Sequence, residues 1–169
     1  IATITINRPA ARNALSSEVL SLLPKLMKQA DASDDVDVLV LTGADPAFCA
    51  GLDLKELGSS GRNLGSGSGA DGRPNADGVR GPFPGLTKPL IGAINGAAVT
   101  GGFEIALACD FLVASDRARF ADSHARVGMI PGWGLTVVLP RLIGTALMTL
   151  GIGAMGPMTV NPARSAGES

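Results

Sequence analysis

Three short stretches of this 169-residue chain hold residue types that could do chemistry. In Ala47-Phe48-Cys49-Ala50-Gly51-Leu52-Asp53 the small pair Ala50-Gly51 lets the backbone approach a ligand with no side chain in the way. An N–H here could point into a site, although an ordinary strand-to-helix turn reads the same residues equally well. In Asn95-Gly96-Ala97-Ala98-Val99-Thr100-Gly101-Gly102-Phe103-Glu104 the paired glycines stand at a helix start, where N–H groups lack intrahelical partners and favour an anion. Glu104 follows in the first turn among apolar neighbours, so desolvation pulls its pKa up and the helix dipole pulls it down. Stabilising that dipole is the plain alternative role. The third stretch, Phe120 to Gly134, carries the only histidine, His124, flanked by Asp122 and Arg126. A lone histidine is more often a hydrogen-bonded structural residue than a catalyst. A nucleophilic triad of Asp122, Ser123 and His124 is rejected, because adjacent residues point in different directions. No second His or paired Cys offers metal-ligand spacing, so no metal is expected.

The elements that must position these stretches alternate between strand and helix. Ala2 to Ile6 alternates with period two and reads as a half-buried strand, turned at Asn7-Arg8-Pro9. Ser16 is a good N-cap for a helix whose Val19, Leu22, Leu23, Leu26, Met27 and Ala30 recur at helical spacing, with Pro24 expected to interrupt or kink it. Val36 to Thr42 reads as a strand covered on both faces, completing a βαβ-type unit. From Gly58 to Gly85 no period survives, and a mobile surface loop or lid is expected. Pro89 to Ile94 is a buried strand, Thr100-Gly101-Gly102 a break, Phe103 to Cys109 a short buried helix, and Asp110 to Ala114 the next strand. Leu135 to Ile143 reads as a helix limited by Pro140. The sequence shows no internal repeat.

Composition bounds what such a chain can do. Formal charge is −1, which argues against nucleic acid and anionic membrane as partners. Apolar residues make up 46%, ample for a packed core, while 4% aromatics and no Tyr disfavour a stacking site. Leu90 to Ala114 is long enough for a membrane span but contains Asn95, Glu104 and Asp110, so a buried strand–loop–helix fits better. Cys49 and Cys109 are expected as reduced thiols of a cytoplasmic protein. The chain opens without Met inside an alternating segment and is expected to be a fragment at its N-terminus. Residues 150–169 turn Gly/Pro-rich and are expected to be a disordered tail following a core of residues 1–149.

Taken together, the motifs resemble the crotonase superfamily, the enoyl-CoA hydratase/isomerase family, from about Ile1 to about Thr149. The resemblance rests on Asn7-Arg8-Pro9 with Asn13-Ala14-Leu15, Phe48-Cys49-Ala50-Gly51-Leu52-Asp53-Leu54, Lys88-Pro89 with Asn95-Gly96, Gly101-Gly102-Phe103-Glu104 to Cys109-Asp110, and Gly128 to Gly134. Five ordered motifs are far more specific than any one glycine pattern. The resemblance implies an α/β fold with a repeated ββα spiral core, here truncated at its C-terminal helical region. It implies acyl-CoA thioester substrates, no cofactor beyond the coenzyme A of the substrate, and homotrimers often paired into hexamers. By position it implies Ala50 and Gly101 as backbone donors of an oxyanion hole. Ala11, Arg12, Leu52, Asp53 and Leu54 match stretches lining the CoA and acyl groove.

Hydratases of the family use two glutamates around a water. Glu104 matches one; the other falls on His124, a departure from the pattern. Hydration of a 2-enoyl-CoA is the first expectation, with double-bond isomerisation second and a catalytically silent acyl-CoA-binding subunit the rival from another class. The C-terminus departs as well, since the pattern stops near Leu150 as a shifted reading frame or truncation would make it.

Overall fold

The structure, a computed structural model, describes residues 1–60 and 82–144. The opening alternation forms strand β1 (Ala2–Ile6), with Ile6 turned into the core. Helix α1 (Ser17–Asp31) is capped as expected, Ser16 Oγ accepting from the Val19 N–H at 3.3 Å. Pro24 lies inside it without interrupting it. A proline there removes one backbone bond, a loss that tertiary packing of the helix can offset. Leu23 and Met27 are buried, whereas Leu22 and Leu26, placed by spacing on the same apolar face, are exposed. Strand β2 (Leu39–Gly43) begins three residues later than the Val36 start expected, because the Val36 N–H still turns back to the Ser33 carbonyl. β1 and β2 run parallel, so the expected βαβ unit is present.

From β2 onward the chain repeats itself in space. β2 is followed by β3 (Ala47–Cys49) and α2 (Leu54–Ser60), then β4 (Leu90–Ile94) by β5 (Ala97–Val99) and α3 (Gly101–Leu107). A third pass brings β6 (Phe111–Ala114), β7 (Arg119–Ala121), a 3-10 turn at His124–Val127 and α4 (Leu135–Ile143). Each pass adds one strand to a parallel sheet ordered β1-β2-β4-β6 and one to a second parallel sheet ordered β3-β5-β7. This is the ββα spiral that the resemblance implies. The passes stack closely: a Cβ on Gly102 of α3 would lie 2.1 Å from the Cys49 carbonyl oxygen at the end of β3.

The core lies between the sheets and their helices, with Leu15, Met27, Leu39, Leu41, Phe48 and Ile94 fully buried. Leu90 to Ala114 holds β4, β5, α3 and β6, so the strand–loop–helix reading is right for its first part. It ends on a strand whose Phe111 and Val113 are exposed. Among the described residues no helix is long and apolar enough to cross a membrane. Of the loop expected at 58–85, Gly58–Ser60 belongs to α2. Residues 61–81 and the expected tail lie outside the described residues.

Candidate active site

Because β3, β5 and β7 are parallel neighbours, the segments that leave their C-terminal ends emerge on one edge of the second sheet. Those segments are the three stretches singled out above. Ligands of parallel sheets commonly sit at that edge. Here the segments surround a cavity of about 440 Å³, lined among others by Leu52, Gly101, Glu104, His124 and Trp133.

One wall is backbone. Gly51 has φ +91°, and a Cβ there would come within 2.0 Å of Thr100 Oγ1 and 3.3 Å of the Gly101 nitrogen. The turns after β3 and β5 are therefore pressed together, and Thr100 itself adopts φ 50°, unusual for a β-branched residue. Leu15 pairs with this turn as an isolated bridge: its N–H donates to the Gly51 carbonyl at 2.8 Å and its carbonyl accepts from Asp53 at 3.0 Å. The Leu52 N–H consequently faces away from Leu15. Gly101 opens α3, where an N–H has no intrahelical partner.

Ala50 does not do what the resemblance implies. Its N–H donates to the Arg12 carbonyl at 3.0 Å and so is spent on holding the chain. The sequence gives no warning of that bond, which joins distant segments. Arg12 is exposed and Ala11 half-buried, both outside the cavity lining, whereas Leu52 and Leu54 are part of it. Asp53 is structural: it meets Arg8 Nη2 at 2.9 Å, while Arg8 Nη1 donates to the Ala14 carbonyl at 2.6 Å. The Arg8 guanidinium holds the Asp53 carboxyl below the usual range. Asn13, fully buried and in the left-handed region at φ 58°, donates to the carbonyls of Ala44 and Ala47, both at 2.7 Å, and accepts from the Arg8 N–H at 2.8 Å.

The opposite wall is made of side chains. Glu104 is 3% exposed, and its Oε1 accepts from the Trp133 N–H at 2.7 Å and the Leu135 N–H at 3.3 Å. Burial pushes its carboxyl above the usual range, against the opposing pull of those N–H groups and of His124. Its other oxygen, Oε2, lies 3.6 Å from His124 Nε2. The far ring nitrogen, Nδ1, lies 2.6 Å from Asp122 Oδ1, and the same oxygen accepts the His124 backbone N–H at 3.0 Å. The Trp133 and Leu135 N–H groups were not foreseen; the Pro131-Gly132-Trp133-Gly134 turn ahead of α4 is the signal for them. Cys49 sits at the end of β3 with its thiol pushed up to about 12 by burial, which leaves it inert as a nucleophile. Among the described residues no group of His, Cys, Asp and Glu could hold a metal ion.

The family model for enoyl-CoA hydratase/isomerase matches residues 1–167. The chain belongs to that family. It is 46% identical, over 85% of its length and 52% of the relative's, to the probable peroxisomal enoyl-CoA hydratase 1 of Arabidopsis thaliana. It is 37% identical, over 87% of its length and 55% of the relative's, to the short-chain-enoyl-CoA hydratase of Clostridium acetobutylicum. Among solved structures, the enoyl-CoA hydratase of Mycobacterium tuberculosis H37Rv superposes with a TM-score of 0.79 at 47% identity, covering 94% of this chain and 63% of that one. The chain thus spans about half the length of the curated relatives it matches.

Proposed function

We propose that this chain carries the reaction centre of an enoyl-CoA hydratase, adding water across the 2,3 double bond of an acyl-CoA thioester. The observation that carries the reading is the buried Glu104–His124 pair facing the same cavity as the Gly101 turn. The thioester oxygen accepts from the N–H groups of Gly101 and Leu52, the latter taking the place first assigned to Ala50. Both lie in turns that Gly51 holds together. Removing one such donor costs about 3–4 kcal/mol of transition-state stabilisation in other enzymes.

A water held by Glu104 gives its proton to the carboxylate as its oxygen bonds to the β carbon. The π electrons shift toward the α carbon and the held oxygen, making an enolate. His124 Nε2–H then delivers a proton to the α carbon. The proton on Glu104 returns to His124 across the 3.6 Å between Oε2 and Nε2, restoring both groups. Leu52 and Leu54 line the cavity and are assigned to the acyl chain, and the exposed Arg12 cation is assigned to the CoA phosphates.

Fatty-acid breakdown in the cytoplasm and assembly into trimers or hexamers belong to this proposal; the Arabidopsis relative is named for another compartment. A double-bond isomerase is the second reading, favoured by Glu104 being the one carboxylate of the cavity lining among the described residues, since moving one proton needs only one base.

The test is loss of the conjugated enoyl-thioester absorbance with a short-chain 2-enoyl-CoA. Turnover should fall about 10²–10⁴-fold in Glu104→Gln, with acyl-CoA binding retained. Absorbance gained from a 3-enoyl-CoA, with none lost from the 2-enoyl-CoA, would select the isomerase.

A further inference from the structure

A glutamate offers its oxygens interchangeably, but a histidine has two different nitrogens. Which one carries the proton in the neutral ring is decided by what the other nitrogen meets. For His124 to serve as the proton donor of the reading above, Nε2 must face the cavity and Nδ1 must stay protonated throughout. The environment of the ring meets both demands. Nδ1 lies 2.6 Å from Asp122 Oδ1, and an ionised carboxylate only accepts, so that nitrogen is the donor of the pair. The same oxygen accepts the His124 backbone N–H at 3.0 Å, which fixes the carboxylate relative to the ring it holds. Nε2 is thereby aimed at Glu104 Oε2, 3.6 Å away, on a residue only 5% exposed. A water cannot fit in line between atoms that close, because two hydrogen bonds of about 2.8 Å each would need more room. A reacting water therefore has room only beside the pair, where both groups can reach it.

We propose that Asp122 is a positioning residue: it locks the His124 ring with its proton on Nδ1 and leaves Nε2 as the atom that exchanges a proton with the reactants and Glu104. The assignment of a catalytic consequence rests on the hydratase reading; the ring-locking itself does not. Among the described residues, the charged groups nearest the ring are Glu104 from α3 and Asp122 from the end of β7, with Arg126 on the ring's own 3-10 turn.

The chain's single histidine makes the test direct. In the tag-free protein labelled with ¹⁵N-histidine, the nitrogen spectrum followed with pH reads the ring state without any need for turnover. The neutral ring should carry its proton on Nδ1, and Asp122→Asn should abolish that preference. In hydration assays Asp122→Asn should lower kcat about 10–100-fold with little change in KM, and Asp122→Glu, which keeps the carboxylate, should recover part of the loss. A neutral ring protonated on Nε2 in the wild-type chain overturns the proposal whatever the variants do. So does an Asp122→Asn protein with an unchanged ring spectrum, or with unchanged kcat while Glu104→Gln is dead. A wild-type chain with no turnover on either enoyl-CoA defeats the hydratase reading and the catalytic consequence with it, while the spectrum still decides the ring-locking.

Discussion

The backbone wall of the cavity and its side-chain wall are held in place by opposite means. Around Gly51 and Gly101 the geometry is enforced by repulsion: two turns lie so close that a single methyl group would collide with Thr100. Around Glu104 and His124 it is enforced by attraction, through the Trp133 and Leu135 N–H groups on one carboxylate and Asp122 on the ring. The first wall is vulnerable to added atoms, the second to removed charge. A backbone donor brings no net charge into the fold, whereas a buried carboxylate raises the energy of the folded state when it is ionised.

The sharpest break is Gly51→Ala. The left-handed φ and the 2.0 Å approach to Thr100 Oγ1 together should cost roughly 2–5 kcal/mol, read as a drop in the urea midpoint. Gly101→Ala, whose added carbon would meet Trp133 Cζ3 at an ordinary 3.4 Å, is the control and should stay within about 1 kcal/mol of wild type. Next comes Asn13→Ala, which removes the bonds to the Ala44 carbonyl and the Arg8 N–H and leaves the Ala47 carbonyl only the longer one from Asn95 Nδ2 at 3.4 Å; about 2–4 kcal/mol is expected by the same measurement.

On the side-chain wall, Glu104→Gln should change how stability depends on pH. Because burial raises the folded-state pKa of Glu104, its stabilising contribution is complete below the ordinary carboxylate range and is lost as pH rises through the raised value. The Tm of Glu104→Gln should therefore gain on wild type between pH 4 and pH 8, and a constant difference would contradict the burial argument. Smallest of all is Arg117→Ala. Its partner Asp45 is 65% exposed at 3.2 Å, and the loss should lie within about 0.5 kcal/mol of zero by thermal melting.

The parts of the fold legible in the sequence are those stabilised by local signals. The Ser16 cap, the β1 alternation and the apolar spacing of α4 each announce an element, and α4 runs over the residues expected. β3, β5 and β7 escape because each is only three residues long and shows too little alternation to register. Their strand character comes from pairing with one another across distant parts of the chain. The spatial repeat is reached only through the family resemblance, since its passes share a geometry and no sequence pattern.

Glycine placement led to two of the three loops of the cavity, because close backbone approach leaves a compositional mark, and the lone histidine led to the third. It could not tell which N–H of the first loop is available. That depends on Ala50 meeting Arg12 and Leu15 bridging to the residues on either side of Leu52. Likewise Asp122 was visible as a neighbour of His124, but only the ring's orientation reveals it as a partner.

Three passes of the spiral deliver three loops to equivalent sockets at the ends of β3, β5 and β7. Each socket is framed by strands whose pairing does not depend on the loop's side chains, so the occupant of one can change while the other two keep their geometry. His124 occupies the third socket. A scaffold so divided can exchange the side chains of one loop by altering a few residues, and the backbone turns at the ends of the other two strands keep their shape.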